Sequence, residues 1–297
     1  MTTIKELLKA DGLLLLVAII WGFAFVAQRS GMEVIGPFAF SAVRFALGAV
    51  SLVPVLLVQR WRRAPDGVAS LSLWKRFLLS ALMGALLFIA ASLQQLGLVT
   101  TTAGNAGFIT CLYVVLVPVV GIFLGRKTGI QTWIGAVLAL AGLYIISIGA
   151  GLKLVTGDLY ELVGAFFWTA YILVIGPIGK RMDAVEFSMG QFATCSVLSL
   201  VTAVVVEPNA FAGVRAALIP ILYGGIMSSG VAFTLQVVAQ RTAHPSHASI
   251  IFSMQALIAA LGGVLFLHEP VTTRLLVGGS LMFAGMLCSQ LTTTKGG

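Results

Sequence analysis

Charge is scarce in this chain. Only 9% of its 297 residues are Asp, Glu, Lys or Arg, while 59% are hydrophobic. A soluble domain carries about 25% charged residues. So few charges cannot cover a water-facing surface, which excludes a soluble fold and leaves a polytopic membrane protein. Mean hydropathy of +1.05 agrees. Acid is scarcer still, with 10 Asp and Glu against 18 Lys and Arg. The net charge of +8 does not indicate a nucleic-acid partner, because the basic residues lie in loops between apolar runs, where membrane orientation accounts for them. The three cysteines, Cys111, Cys195 and Cys288, all fall inside apolar runs and form neither a disulfide framework nor a CxxC site.

Motifs for chemistry are missing too. The three histidines, His244, His247 and His268, form no HExxH pair, and there is no Walker A loop. No Lys or His lies at membrane depth to activate a serine. An intramembrane enzyme is therefore only a distant alternative. His244 and His247 are three apart in HPSH, but no third ligand is evident, so neither a metal nor any other cofactor is expected.

Long apolar runs are plentiful. A span needs roughly 20 apolar residues at about 1.5 Å each. Ten segments qualify, near 10–30, 35–59, 74–98, 102–125, 129–149, 157–179, 184–206, 214–240, 245–267 and 271–291. Lys5 and Lys9 ahead of Leu13 to Ile20 resemble a signal peptide. With nine spans behind it, an uncleaved first helix is the expectation. The longest link, around Arg60 to Trp74, is a basic loop with a Pro65-Asp66-Gly67 turn.

One stretch occurs twice. Ala103 to Gly142, AGNAGFITCLYVVLVPVVGIFLGRKTGIQTWIGAVLALAG, recurs 143 positions on as Ser246 to Gly285. Both copies have an apolar run ending in FL, a polar turn, and a second run ending in AG. The repeat reaches the earlier spans, since Trp21/Trp168 and Arg44/Gln191 are each 147 apart. Each half, 1–150 and 151–297, thus holds five spans. An odd number makes the second half enter from the opposite side of the membrane. The expected fold is an all-α membrane protein of ten transmembrane helices, two inverted five-helix repeats around a central cavity.

With the N-terminus inside, thirteen Lys and Arg fall in cytoplasmic segments and four, Arg29, Lys153, Arg215 and Arg274, in external ones. Both termini are therefore expected in the cytoplasm of a cell (bacterial inner) membrane. Arg44 lies within a span.

These features resemble the EamA-type branch of the drug/metabolite transporter superfamily. WGFAF at Trp21 to Phe25 is similar to that family's first-span motif, FLHEP at Phe266 to Pro270 to its turn after the ninth span, and Ala136 to Leu143 to the end of its fifth. The first-half turn reads FLGRK, so only Glu269 matches the family's glutamate. Within the family the chain resembles the aromatic amino acid exporter (YddG-like) group. The resemblance implies alternating access, with span four bordering the path and span five supporting it.

Depth selects the candidate substrate contacts. Trp21, Tyr113, Trp168 and Gln255 are ten or eleven residues into their spans, about 15 Å and close to the midplane. Arg44 and Gln191 are slightly shallower, and Tyr171 shares a face with Trp168. Arg44 either offers its fork to a substrate carboxylate or bridges helices. The aromatics form a stacking wall or packing bulk. Gln255, Gln191, Ser228 and Ser253 bind substrate or join helices. Phe25 and Gln28 share Trp21's face, while Gln94, Gln95 and Gln236 sit nearer an entrance. Pro54, Pro118 and Pro177 interrupt spans and act as gate hinges or static kinks.

The acids, Asp158 and Glu161 among them, all fall near span ends or in loops. Without a proton-relay acid at depth, facilitated diffusion or weak coupling is expected. The expected function is export of a small metabolite, most concretely an aromatic or bulky neutral amino acid. A broad exporter of hydrophobic drugs or other metabolites is the alternative. The expected partners are a small-molecule substrate and the lipid bilayer. The chain is expected as a monomer, with a dimer as the alternative.

Overall fold

The computed structural model describes residues 4–62, 71–101, 103–126, 128–148, 155–267 and 273–290. Glu269, the FLHEP turn beyond Leu267, His268, and the loop and tail charges Arg63, Lys127, Lys153 and Lys295 lie outside the described residues.

All described elements are helices. Span one is α1 (Ile4–Gly31); span two is α2 (Pro37–Ser51) continued by α3 (Val53–Arg62); span three is α4 (Leu73–Thr100). Span four divides into α5 (Ala103–Thr110) and α6 (Tyr113–Phe123), and span five is α7 (Ile130–Ile148). The second half has α8 (Thr156–Gly179), α9 (Ala184–Val206), a composite eighth span, α12 (Pro245–Leu267) and α13 (Thr273–Gln290). The eighth span joins α10 (Leu218–Leu222), a π-helical segment (Tyr223–Phe233) and α11 (Thr234–Ala239). Among the described residues, eight helices have the length and apolarity to cross a bilayer, and α7 and α13 add two shorter apolar ones. Ten spans result.

Close glycine contacts demonstrate the inversion. A Cβ on Gly135 of α7 would stand 2.6 Å from the Gly285 carbonyl oxygen of α13, and one on Gly285 equally close to the Gly135 oxygen. Gly142 meets Gly278 in the same way. The later α7 residue faces the earlier α13 residue, so the two helices run antiparallel. Gly135 and Gly278 are repeat mates, as are Gly142 and Gly285, so a local two-fold axis passes between the helices. Only a side chain of hydrogen permits this approach, which gives close van der Waals packing where lipid offers no hydrophobic drive.

The same two-fold relates the other contacts. α1 packs on α12 as α6 packs on α8; α4 packs on α8 as α1 packs on the eighth span; α2 packs on α9 across the axis. Lipid-facing surfaces carry exposed large apolar residues such as Val137, Phe166, Val204 and Leu276. The interior keeps aromatic and polar side chains.

Of the three spans that carry Pro54, Pro118 and Pro177, two break and one does not. Span two breaks at Leu52, whose N–H bonds Ala49 O, and Pro54 sits in the first turn of α3 where its missing N–H is tolerated. Span four breaks at Cys111–Leu112, about one turn before the carbonyl that Pro118 cannot bond. There the N–H groups of Leu112 and Val114 turn to Ile109 O and Cys111 O at 3.1 and 2.9 Å. Pro177 leaves α8 unbroken, and the Leu173 carbonyl it frees accepts from Arg126 Nη2 at 2.9 Å.

Candidate functional site

Where the halves meet, a cavity opens inside the bundle. Its walls take in five of the seven sequence-selected residues: Trp21, Arg44, Tyr113, Trp168 and Gln255. The other two, Tyr171 and Gln191, stand behind the wall with no exposed surface. Tyr171 donates its hydroxyl to Gln191 Oε1 at 2.8 Å, which ties span six to span seven. Their depth is as expected, but helix rotation turns them away from the space.

Arg44 is 3% exposed on α2. Its Nη1 donates to Gln28 Oε1 at 3.0 Å, and its guanidinium carbon lies 4.4 Å from the Phe45 ring centre. Its Nε has no partner among the described residues. No carboxylate among them forms a salt bridge with it. Gln28 Oε1 also accepts from Gln94 Nε2 at 3.1 Å, so three spans converge on one amide oxygen. A guanidinium with unused donors, in a low-dielectric cavity and without a counter-anion, is built to receive an anion.

Aromatic rings form much of the rest of the wall. Phe233, the last residue of the π-helical segment, is its hub. Its ring centre lies 4.8 Å from Trp21 and 6.0 Å from Trp168, with Phe252 5.3 Å from Trp21. Trp21 Nε1 donates to the Ser228 carbonyl at 3.3 Å. Trp168 Nε1 has no partner among the described residues. On another side, Gln255 Nε2 donates to the Tyr113 hydroxyl at 2.9 Å, close to Cys111 Sγ.

Sequence reasoning missed Thr110, Ile172, Phe233 and Phe252. Helical spacing was a usable signal for two of them: Ile172 is four residues after Trp168, and Phe252 three before Gln255. For Phe233 it fails, because the π segment does not keep a 3.6-residue period. Thr110 sits before the break in span four, so its face could not be projected from Tyr113. Gln28, Phe25, Gln94 and Gln236 also line the space.

The acids depart from expectation. Asp158 and Glu161 lie near the end of span six, yet are only 3% and 0% exposed. α4 and α5 cover them; the Thr101 hydroxyl donates to Asp158 Oδ1 at 2.6 Å, and Thr110 Oγ1 lies 2.7 Å from Glu161 Oε2. At the far end of the bundle, His247 bonds Asp11 at 2.8 Å and Ser289 at 3.0 Å, which joins α12 to α1 and α13. Among the described residues no group of three His, Cys, Asp or Glu side chains is placed to hold a metal.

Known proteins give the arrangement a context. The EamA-like transporter family matches the chain twice, over residues 8–148 and 155–290. An uncharacterized transporter of Archaeoglobus fulgidus is 28% identical over 285 residues, covering 96% of this chain and 86% of that one. The uncharacterized transporter YoaV of Bacillus subtilis is 26% identical, covering 94% of this chain and 96% of YoaV. The uncharacterized inner membrane transporter YedA of Escherichia coli is 28% identical, over 61% of this chain and 59% of YedA. A solved crystal structure shares the fold, with a TM-score of 0.79 over 97% of this chain and 98% of that chain, at 18% identity. The double match agrees with the two-fold relation of the helices, and the ten apolar spans place the chain in a bilayer. It is a multi-pass membrane transporter that belongs to the EamA-like transporter family of the drug/metabolite transporter superfamily.

Proposed function

We propose that the chain exports aromatic or bulky neutral amino acids, in the manner of the YddG-like group, and has no enzymatic activity. The observation that carries this is Arg44, a guanidinium with no carboxylate partner among the described residues, in a cavity that otherwise presents aromatic and neutral polar side chains. The substrate carboxylate meets Arg44 with Gln28 and Gln94 beside it. The substrate ring stacks among Trp21, Trp168, Phe233 and Phe252, and Tyr113 and Gln255 supply neutral hydrogen-bonding groups to the ammonium. The two halves, 1–150 and 151–297, exchange arrangements around this point, with Pro54 and Pro118 beside the breaks that bend. Both termini are cytoplasmic, and the chain acts as a monomer in the cell membrane.

Exchange of radiolabelled L-phenylalanine in proteoliposomes tests the reading. Unlabelled phenylalanine should compete, and phenylalaninamide, which lacks the carboxylate, should compete at least tenfold less well, about 1.4 kcal/mol. Equal competition by the amide removes Arg44 as the clamp. Saturable exchange of radiolabelled tetraphenylphosphonium, a lipophilic cation, with phenylalanine inert, would replace the amino acid reading with a broad hydrophobic-drug exporter.

A further inference from the structure

The scarcity of acids pointed to transport without a proton, but the packing of Glu161 points the other way. This carboxyl lies in the second turn of α8 and has no exposed surface. Gly97 of α4 makes room for it, since a Cβ there would stand 2.6 Å from Glu161 Oε1. Oε2 lies 2.7 Å from Thr110 Oγ1, while Oε1 has no hydrogen-bond partner among the described residues.

No cation faces it. On its own helix Asp158 is occupied by Thr101 and by its bond from the Val155 N–H at 2.9 Å. α5 brings no charged residue, and the break after it brings the neutral Cys111 and Tyr113. The charged residues of α4, Lys75 and Arg76, sit at its opposite end, as does His247 of α12. α6 and α11 carry no charged residue. Arg29 of α1 is at this end of the bundle, but its Nη1 donates to Leu98 O at 3.2 Å.

An ionised carboxylate here would have one hydroxyl donor and no counter-charge, and a buried group in that position neutralises instead. The neutral acid fits the geometry. Its O–H at Oε2 donates to Thr110 Oγ1, and Oε1 remains a carbonyl oxygen whose unmet lone pairs cost far less than an unmet charge. Thr110 lines the cavity and ends α5 at the helix break. When Glu161 is ionised, the Thr110 hydrogen is committed to it. When Glu161 is neutral, that hydrogen is free to turn to the cavity.

We propose that Glu161 is a proton-binding site coupled to transport through Thr110. In the arrangement seen here the carboxyl holds its proton. When the α5–α6 break opens this end of the cavity to water, the O–H bond breaks, the proton passes to water and the electron pair stays on the carboxylate. The site rests on the transport reading, not on the identity of the substrate.

Two measurements test it. Infrared difference spectra of the full chain in nanodiscs, stepped between about pH 5 and pH 9, should show a protonated-carboxyl band at neutral pH. Glu161→Gln should abolish the band, and Thr110→Val, which removes its hydrogen-bond partner, should shift it. Absence of the band in the wild type overturns the proposal, whether or not either variant folds.

In proteoliposomes, an imposed pH gradient should drive net phenylalanine movement, up to about tenfold accumulation per pH unit for one coupled proton. Glu161→Gln should keep phenylalanine exchange and lose that accumulation. Net phenylalanine movement that is indifferent to the pH gradient while exchange persists, or that is driven by a sodium gradient instead, overturns the coupling. Should phenylalanine not exchange at all, the substrate reading falls while the infrared band still decides the proton site.

Discussion

Replacing Arg44 with Met separates a binding role from a structural one. If Arg44 holds the helices together, its removal should lower stability. The structure argues that it will not. Gln28 Oε1 loses the Arg44 donor but keeps Gln94 Nε2 at 3.1 Å, so no acceptor is left unmet. The Phe45 face loses a cation at 4.4 Å, a loss of about 2 kcal/mol at most. Against it, Met removes a buried cation that has no counter-charge and an unpartnered Nε. Removing such a charge relieves a desolvation cost on the order of several kcal/mol. The two offset, and Arg44→Met should melt at or above the wild-type temperature in the absence of substrate. Binding should change far more. A charge-assisted hydrogen bond contributes about 1.5–3 kcal/mol, so phenylalanine affinity should fall roughly 10- to 150-fold. Discrimination against phenylalaninamide should vanish with it. The checks are a thermal melt of the substrate-free protein and competition in proteoliposomes. A marked drop in melting temperature with the acid/amide discrimination intact would refute the clamp.

The tryptophans should behave differently from each other. Trp21→Phe loses the bond to Ser228 O and should destabilise by about 1 kcal/mol, whereas Trp168→Phe loses no bond within the chain and should melt normally while binding substrate more weakly; equal melts would refute the distinction. Gly135→Ala sets a Cβ 2.6 Å from the Gly285 carbonyl and should cost about 1–3 kcal/mol by thermal melt. Gly12→Ala, with nothing within 4 Å, should be neutral or stabilising by up to about 1 kcal/mol. Arg126→Gln should destabilise the wild type but do less in Pro177→Ala, where a restored N–H takes the Leu173 carbonyl; a double-mutant cycle should give a coupling of about 1 kcal/mol.

Legibility followed periodicity. Ten spans could be read because each needs only a long apolar run, and the inversion because an odd count and a 143-residue repeat leave no other arrangement. Trp21, Arg44, Tyr113, Trp168 and Gln255 could be found by depth, which the rise per residue fixes. Depth does not fix rotation about the helix axis, and so Gln191 was selected although it faces away; Tyr171 was selected for sharing a face with Trp168, and a spacing of three still left it behind the wall against Gln191. Rotation becomes unreadable where the helix is irregular, at the π segment that carries Phe233 and at the break that carries Thr110. Glu161 was hidden for another reason. Distance from a span end measures depth in the bilayer, but burial beneath neighbouring helices depends on how α4, α5 and α8 pack.

The two halves are most alike where they only support each other and least alike around the cavity. At the α7–α13 contact, glycine faces glycine on both sides of the axis. Around the cavity, the mate of Arg44 is Gln191, so the positive charge belongs to one half only. The mate of Pro118 is Leu261, which keeps its N–H, and α12 runs unbroken where span four is divided. The eighth span carries a π segment, while its mate α4 is regular. Strict symmetry would make the two open arrangements equal in energy and a substrate's two exits equivalent. Each departure biases that balance, because a ligand shifts an equilibrium only by its differential contacts in the two states. On the proposed reading, a carboxylate held by Arg44 would move with the first half, and the breaks in spans two and four belong to that half as well. On the proposed alternating-access reading, the repeat would supply two arrangements of similar energy, and the residues that broke the repeat would decide how binding divides between them.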